Sequence, residues 1–377
     1  MSGTASILYA RFFSKELNDY YEESIVPEKI NFQTDIREFT GSLDIAYKIG
    51  NESDLRKVRS NDIVEFYFYL PSGAKHQVGV GYLEDYVRKT NASEMLMSFN
   101  GREIIAQIMK PPFAKTQHFT AMTLFNFVEL AAKGEYIGEY CSFKNISPVL
   151  GIQNYKEKMR MSTDLTQSKG ALIQQYAGLA INLVYQNRLG QIVIYGGKNA
   201  NESLGVLRKG YNVLDMEVKG SYSKAISEVV TFFSSAQADL DSNKINSPTV
   251  LNKDRRVRGK IFNPTYKTFS SNDLQVFSVT PDVRIKQIAN SLIRQSNSSL
   301  SPVIVSVEKP FFEEDGRSFA YECGQVWTLG SDMKEFESAE YPDGTDSINM
   351  ILAGIHYGQD EGSLSVQLLF VEKGTLT

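Results

Sequence analysis

The chain has 377 residues, a formal net charge of −4 and two cysteines, Cys141 and Cys323. This length fits two to four domains, and the negative charge argues against a surface built to hold nucleic acid. Two cysteines are too few for a disulfide framework, and the sequence has neither a signal-peptide pattern nor an apolar run long enough to span a membrane. We therefore expect a soluble protein, made in a cytoplasm, with two buried thiols.

The first hundred residues predict a small barrel or sandwich of short strands. Phe39–Tyr47 alternates between apolar and polar positions, as a half-buried strand does, and Asp62–Leu70 repeats the pattern. Pro71–Ala74 predicts a turn, after which His76–Tyr82 and Glu94–Phe99 continue the series. The 22 Phe and 20 Tyr residues of the chain also favour β structure.

The pattern changes to helical spacing after Gly101 and predicts a middle α/β region. Arg102–Met109 places three isoleucines on one helical face. A second helix is predicted over Thr123–Ala132, with Thr123 as its N-cap, and a third over Lys169–Ala180. Helices thus interrupt the strand series between residues 101 and 202.

The most nucleotide-like stretch of the chain is Tyr185–Gly197, YQNRLGQIVIYGG. A phosphate-binding loop needs a strand, then clustered glycines, then a helix, and here no helical pattern follows the last glycines. We predict instead that Asn187–Gly190 is a tight turn joining the strands Ile181–Tyr185 and Gln191–Tyr195. A ligand loop is the alternative.

The rest of the chain is predicted to be largely β, with an insertion. Strand character returns at Asn212–Tyr222 and Ile226–Phe233, before a polar stretch, the basic run Lys253–Lys260 and an amphipathic helix over Val283–Arg294. The final predicted strands are Val303–Val307, Arg317–Trp327, Met350–Tyr357 and Ser363–Val371.

A short internal repeat indicates duplicated β domains. Gln77–Tyr82 resembles Leu352–Tyr357, and each is followed by a polar turn and an apolar strand. Matches this short also arise by chance. Glycine weakens a strand unless a bulge or a close approach requires it, so Gly79 and Gly354 predict such features.

No constellation of residues predicts catalysis or metal binding. His76, His118 and His356 are scattered, and the zinc-protease, paired-cysteine and serine-nucleophile motifs are absent from the sequence. The acidic cluster Glu313–Asp315 is interpreted as a solvated turn, and Lys253–Lys260 as a solvated or interface segment. Trp327 is expected in a core or an interface. We therefore predict no catalytic, cofactor-binding or metal-binding residue, and no cofactor.

Taken together, the order of elements resembles the baseplate hub proteins of contractile-tailed phages, especially the Mu-type tail hub and late-control D group. Segment 236–300 has little that matches this family. The stretches that carry the resemblance are Asn61–Phe66, Val78–Tyr82, Phe99–Glu103, Gln175–Leu179, Gly190–Ile194, Gly316–Phe319, Met350–Ile355 and Leu368–Phe370.

The resemblance implies an α+β, mostly β fold with two similar small β-barrel domains of the tube-like kind. The domains expected are a first barrel over residues 1–100, a middle α/β domain over 101–202, a second barrel over 203–235 and 301–377, and an inserted segment over 236–300 with one amphipathic helix.

The resemblance also implies a structural function in the virion. Such hubs are homotrimers whose pseudo-sixfold ring continues the tail tube or meets the tape measure, contacts other baseplate proteins and holds the trimeric membrane-piercing spike. Genomic DNA passes through the channel without specific binding, and no membrane anchor is expected. We thus expect a late, non-enzymatic protein of the tail baseplate, assembled in the host cytoplasm. The alternatives are a tail-associated cell-wall hydrolase and a receptor- or glycan-binding tail module.

Overall fold

The computed structural model of the chain consists mostly of β-strands, with a few short helices, so the predicted α+β, mostly β class is confirmed. The residues that it describes are 7–14, 19–49, 58–70, 72–90, 95–133, 147–148, 158–195, 202–218, 228–234, 250–251, 264–270, 287–293, 302–314, 316–330 and 348–372.

The first hundred residues form the expected series of strands. Gly73, at φ +80°, closes the predicted turn between β5 and β6. Strand β6 extends well past the predicted end at Tyr82, because its polar second half is held by pairing with β7. The strands are β1 (Tyr9–Ser14), β2 (Asp19–Ile25), β3 (Lys29–Asp35), β4 (Ser42–Ile49), β5 (Ile63–Tyr69), β6 (Lys75–Thr90) and β7 (Met95–Glu103).

The middle region contains the helices predicted there. The hydroxyl of Thr123 accepts a hydrogen bond from the Asn126 backbone N–H at 3.2 Å, which confirms it as the N-cap. The first predicted helix is only a short 3-10 helix, because β7 continues to Glu103. The elements are the 3-10 helix (Ile104–Ile108), β8 (Gln117–Thr123), α1 (Leu124–Ala132), β9 (Ser147–Pro148), β10 (Lys158–Thr163), α2 (Lys169–Ala180), β11 (Leu183–Gln186) and β12 (Ile192–Tyr195).

The glycine-containing stretch after α2 is a hairpin, as predicted. Strands β11 and β12 pair antiparallel. The Asn187 side-chain oxygen accepts hydrogen bonds from the backbone N–H groups of Leu189 and Gln191, and Gly190 takes φ +80°. An Asx-type turn with a left-handed glycine explains these residues without a ligand. Gly196 and Gly197 lie outside the described residues.

The last part of the chain supplies the second group of strands. The predicted strand Arg317–Trp327 is wrong as one unit: it is two strands separated by a turn in which Gly324 takes φ +90°. Residues 287–293 are helical, within the predicted helix. The strands are β13 (Val206–Leu207), β14 (Val213–Val218), β15 (Glu228–Ser234), β16 (Val250–Leu251), β17 (Pro264–Ser270), β18 (Val303–Val307), β19 (Phe311–Glu314), β20 (Arg317–Ala320), β21 (Val326–Leu329), β22 (Ile348–Asp360) and β23 (Ser363–Glu372).

The two groups of strands have the same order in space. The first runs β3-β4-β7-β6-β5-β1 and the second runs β14-β18-β23-β22-β21-β13. When the six strands of each group are ranked by their position in the chain, the ranks follow one another across the sheet in the same way in both groups. The one difference in direction is that β13 pairs parallel with β21, whereas β1 pairs antiparallel with β5. The repeat suggested by Gly79 and Gly354 therefore has a structural counterpart, and the strand pairings skip the residue before each glycine, which makes both bulges.

The two groups join edge to edge into one sheet. Strand β3 pairs antiparallel with β22, from Lys29 opposite Asp360 to Asp35 opposite Gly354. One apolar core follows the joined sheet through both groups, and a second core binds α1, α2 and the 3-10 helix to the first group. The predicted domain boundaries and the closure of each group as a barrel stay predictions.

Strand β15 does not join the second group, although the predicted boundary places it there. It pairs parallel with β17 and antiparallel with β16, both from the segment expected to be an insertion. That segment therefore contains strands as well as its helical residues.

Candidate functional site

A polar face crosses eight adjacent strands of the joined sheet, in the order β14-β18-β23-β22-β3-β4-β7-β6. We call it the polar face. Its side chains come from directly paired positions in neighbouring strands. One row consists of Asp215, Ser306, Gln367, His356 and Gln33, and the next of Asn31, Asp44, Asn100 and Asp85.

The two rows are linked at the junction of the strand groups. His356 Nε2 lies 2.6 Å from the side-chain oxygen of Asn31, whose amide nitrogen in turn lies 3.3 Å from an Asp44 carboxylate oxygen. Because strand side chains alternate between faces, the intervening residues point the other way, into the core. Leu43, Phe99 and others there are fully buried. The sheet thus has one apolar and one hydrated face.

Positive and negative side chains are mixed along the polar face. This mixture gives no strongly basic patch that would hold a polyanion. A depression of about 300 Å³ opens on the face between β3, β4, β6 and β7. The charged side chains on the face are Lys29, Asp44, Lys48, Asp85, Lys89, Arg102, Asp215, Glu217 and Asp360.

Both ends of the eight-strand series carry exposed apolar side chains. At the β14 end, Tyr211 and Leu214 are 67% and 65% exposed; at the β6 end, Tyr86 and Val87 are 59% and 56% exposed. Among the described strands, β14 pairs only with β18, and the half of β6 after residue 83 pairs only with β7. A strand edge that carries exposed apolar side chains is a surface on which a further strand can pair.

The three histidines lie far apart in the fold. His76 is half-buried beside Arg188, and this partial burial together with that positive charge lowers its pKa to about 4. His118 is exposed on β8, and His356 belongs to the polar face. Within the described ranges, no group of three or more His, Cys, Asp or Glu side chains could hold a metal ion. The expectation of no metal stays a prediction.

The other residues that the sequence analysis named lie in the core or in ordinary contacts within the fold. Trp327 is fully buried, and its ring centroid lies 4.9 Å from that of Phe312, which confirms its place in a core. Cys323 is a buried free thiol, as expected. The predicted turn over Glu313–Asp315 is wrong for Glu313 and Glu314, which lie in strand β19 and pair with β20. Glu313 forms an ion pair at 2.9 Å with Lys309, which precedes the strand. Cys141, Asp315 and Lys253–Lys260 lie outside the described residues.

Sequence reasoning missed a buried polar cluster where the two strand groups meet. A Glu103 carboxylate oxygen accepts a hydrogen bond from the Gly41 backbone N–H at 2.7 Å. Burial, together with the negative charge of Asp35, raises the pKa of Glu103 to about 7. Arg37 binds both carboxylate oxygens of Asp35 through its Nε, at 2.9 and 3.1 Å. No sequence motif marks this cluster, because Glu103 of β7 is far along the chain from Asp35 of β3 and from the connection between β3 and β4 that carries Arg37 and Gly41.

Two buried glutamines connect distant segments of the chain through side-chain hydrogen bonds to the backbone. The Gln186 amide donates to the Val80 carbonyl at 2.7 Å, and its oxygen accepts from the Ile105 N–H at 2.9 Å. The Gln359 oxygen accepts from the Leu8 N–H at 2.7 Å. These contacts fix the middle region on the first strand group, and the start of the chain on β22.

Comparison with solved structures gives the class of the fold, which is that of phage tail proteins. The 43 kDa tail protein of prophage MuSo2 from Shewanella oneidensis matches 98% of this chain and 100% of its own, with a TM-score of 0.69 at 15% identity. A tail protein from Neisseria meningitidis MC58 matches 98% of each chain, with a TM-score of 0.67 at 12% identity. Prophage tail protein gp18 from Listeria monocytogenes EGD-e matches 97% of this chain and 95% of its own, with a TM-score of 0.57 at 10% identity.

The fold expected from the resemblance to baseplate hubs is therefore confirmed over nearly the whole chain. No protein-family model and no curated protein matches the sequence. In the part of the chain that the structure describes, no helix has the length and apolar character needed to cross a membrane.

Proposed function

We propose that this chain is a structural subunit of a phage tail baseplate, the hub protein that joins the tail tube to the central spike. The observation that carries the proposal is the repeated strand order in two groups that join into one sheet with a polar face. Three subunits, each contributing two similar sheet halves, would present six similar units around an axis. A homotrimer can in this way adapt a sixfold tube to a threefold spike.

The polar face is proposed to line the channel of this ring. A wall of mixed charge and amide side chains stays hydrated and offers no continuous basic track, so DNA can pass without being held. The partners proposed on the two sides of the ring are the tail tube or tape measure and the trimeric spike. The protein would then be a virion component assembled in the host cytoplasm.

Images of the purified protein by electron microscopy test this proposal. We expect rings with threefold symmetry, a near-sixfold outline and a central hole. Particles without a hole, or with a different symmetry, would contradict it. The absence of enzymatic activity is also proposed, and a zymogram on purified cell wall checks it: clearing by the isolated chain would favour the hydrolase alternative.

The domain division is proposed with one change. We propose a first tube-like domain over residues 1–100 and a middle α/β domain over 101–202. The second tube-like domain begins at residue 203, is interrupted by the insertion and ends with residues 301–377. The pairing of β15 with β16 and β17 favours an insertion that begins before Glu228 rather than at residue 236.

A further inference from the structure

We infer that the seam between the two strand groups carries a proton-controlled latch, in which a neutral Glu103 keeps the seam closed and an ionised Glu103 loosens it. The seam is the pairing of β3 with β22. Residues 36–41, which lead from β3 to β4, are called the connection here. The inference concerns contacts within one chain and does not depend on the proposed function.

The connection covers Glu103 on one side and holds the second strand group on the other. Glu103 is 3% exposed, and one of its carboxylate oxygens accepts the Gly41 N–H at 2.7 Å. A Cβ atom at Gly41 would lie 3.1 Å from Glu103 Cδ, so the connection packs directly against the carboxyl group. At the start of the connection, the Ile36 N–H donates to the Ala353 carbonyl at 2.8 Å. A movement of the connection that lets water reach Glu103 therefore also acts on the contact with β22.

A chain of hydrogen bonds extends from Glu103 to the second strand group. The Thr34 side chain of β3 bonds to Glu103 of β7 and also to Cys323, in the turn between β20 and β21. A hydroxyl has a single hydrogen, so Thr34 donates to one partner at a time. When Glu103 is ionised, Thr34 donates to its carboxylate. When Glu103 is protonated, its own O–H can donate to the Thr34 oxygen, and the Thr34 hydrogen is free to turn to the Cys323 sulfur. The proton thus changes bonds on both sides of the seam.

The surroundings of Glu103 favour its neutral form while the seam is closed. Burial, together with the negative charge of Asp35, raises its pKa to about 7. Arg37, in the connection, binds Asp35 through both carboxylate oxygens. From the second strand group, Cys323 is a thiol whose pKa burial raises well above the ordinary value, and burial also raises the pKa of the neighbouring Glu322. An ionised Glu103 is therefore poorly solvated in the closed seam, and its hydration favours the open seam.

Hydrogen exchange at the Ile36 amide, measured by mass spectrometry, tests the latch. Each rate is divided by the intrinsic chemical rate at the same pH to give a protection factor, and the amides of the buried strand β5 serve as the internal reference. We expect the protection of Ile36 relative to β5 to fall about tenfold or more between pH 5 and pH 8, because the closed seam holds a proton that the open seam releases. Glu103→Gln should keep the protection high at both pH values. Glu129→Gln, at an exposed position in α1, is the control and should behave like the wild type.

Two further measurements do not depend on how well Glu103→Gln folds. In the wild-type chain, infrared spectroscopy should show one protonated carboxyl group that is lost only around pH 7. Thr34→Val removes a hydrogen bond that favours the ionised carboxylate, so the fall in protection should extend to higher pH than in the wild type. Protection of Ile36 that does not change with pH, or a fall that persists in Glu103→Gln, would overturn the latch. A fall without a carboxyl titration near pH 7, or one that Thr34→Val leaves unchanged, would overturn it as well.

Discussion

Gly79 lies against the ring of Phe32: a Cβ atom at Gly79 would be only 2.2 Å from Phe32 Cε1. Phe32 is buried in the core beneath β3, at ring distances of 5.4 Å from Phe66 and 6.5 Å from Tyr357. The ring fills the space that a side chain at position 79 would need. The bulge before Gly79 and this close approach explain why the strand carries glycine.

We expect Gly79→Ala to destabilise the protein by about 1–3 kcal/mol, because the added methyl forces Phe32 to move in a packed core. Gly354→Ala should cost less, since its Cβ would lie 3.0 Å from the nearest atom, the Thr34 carbonyl oxygen. Gly178→Ala is the control, because a Cβ there meets nothing within 4 Å in helix α2 and should stabilise slightly. Urea unfolding measures all three; equal midpoints for Gly79→Ala and wild type would contradict the expectation.

Glu103 predicts a pH-dependent stability. Its pKa is raised to about 7 in the folded protein from an ordinary value of 4.5, mainly by burial. The folded state therefore binds the proton more tightly than the unfolded state, and Glu103 lowers the free energy of unfolding as the pH rises from about 4.5 to about 7. Above pH 7 that loss is complete.

We expect Glu103→Gln to stabilise the protein by about 1–3 kcal/mol at pH 8 and to have much less effect at pH 4.5. The amide oxygen can still accept the Gly41 hydrogen bond without carrying a charge. Glu129→Gln, at an exposed position in α1, is the matched control. Denaturant unfolding of the three proteins at both pH values gives the differences. A gain that is the same at pH 4.5 and pH 8 would show that Glu103 is not the titrating group.

Gln186 is expected to be essential for the contact between the middle region and the first strand group. The buried amide of Gln186 forms hydrogen bonds with the Val80 carbonyl and with the Ile105 N–H. The substitution Gln186→Leu removes both bonds. Leaving these groups unpaired should cost about 2–4 kcal/mol. Gln174→Leu, on the exposed side of α2, should change stability little. Thermal unfolding tests this, and similar midpoints for both variants would count against it.

Cys323 is expected to be unreactive in the folded protein. It is buried, and burial raises its thiol pKa well above the ordinary value, so little thiolate is present at neutral pH. In a Cys141→Ser background, we expect no labelling by a thiol reagent under native conditions and one equivalent in urea. Rapid labelling without denaturant would mean that the turn between β20 and β21 opens readily.

The sequence predicted most strands because their alternation is strong, as in β4 and β5. It also predicted the helices α1, with Thr123 as its N-cap, and α2. It missed the second half of β6, whose polar residues carry no strand pattern and depend on β7 for pairing. It merged β20 and β21, because Phe319, Tyr321 and Cys323 continue an apolar alternation into the turn at Gly324.

The candidate site could be predicted only in outline. The resemblance and the short repeat indicated a duplicated β architecture, but the polar face depends on strand neighbours that are hundreds of residues apart, such as Asn31 and His356. The buried position of Glu103 depends in the same way on contacts with β3 and the segment around Gly41. Pairing across a sheet is a long-range property, and local spacing does not encode it.

We propose that three copies of this chain form a closed ring. Light scattering on the purified protein, alone and mixed with its spike protein at micromolar concentration and moderate salt, tests it most directly. We expect a trimer of the chain, three times the 42.4 kDa subunit mass, in at least one of the two samples. A monodisperse monomer in both samples would contradict it.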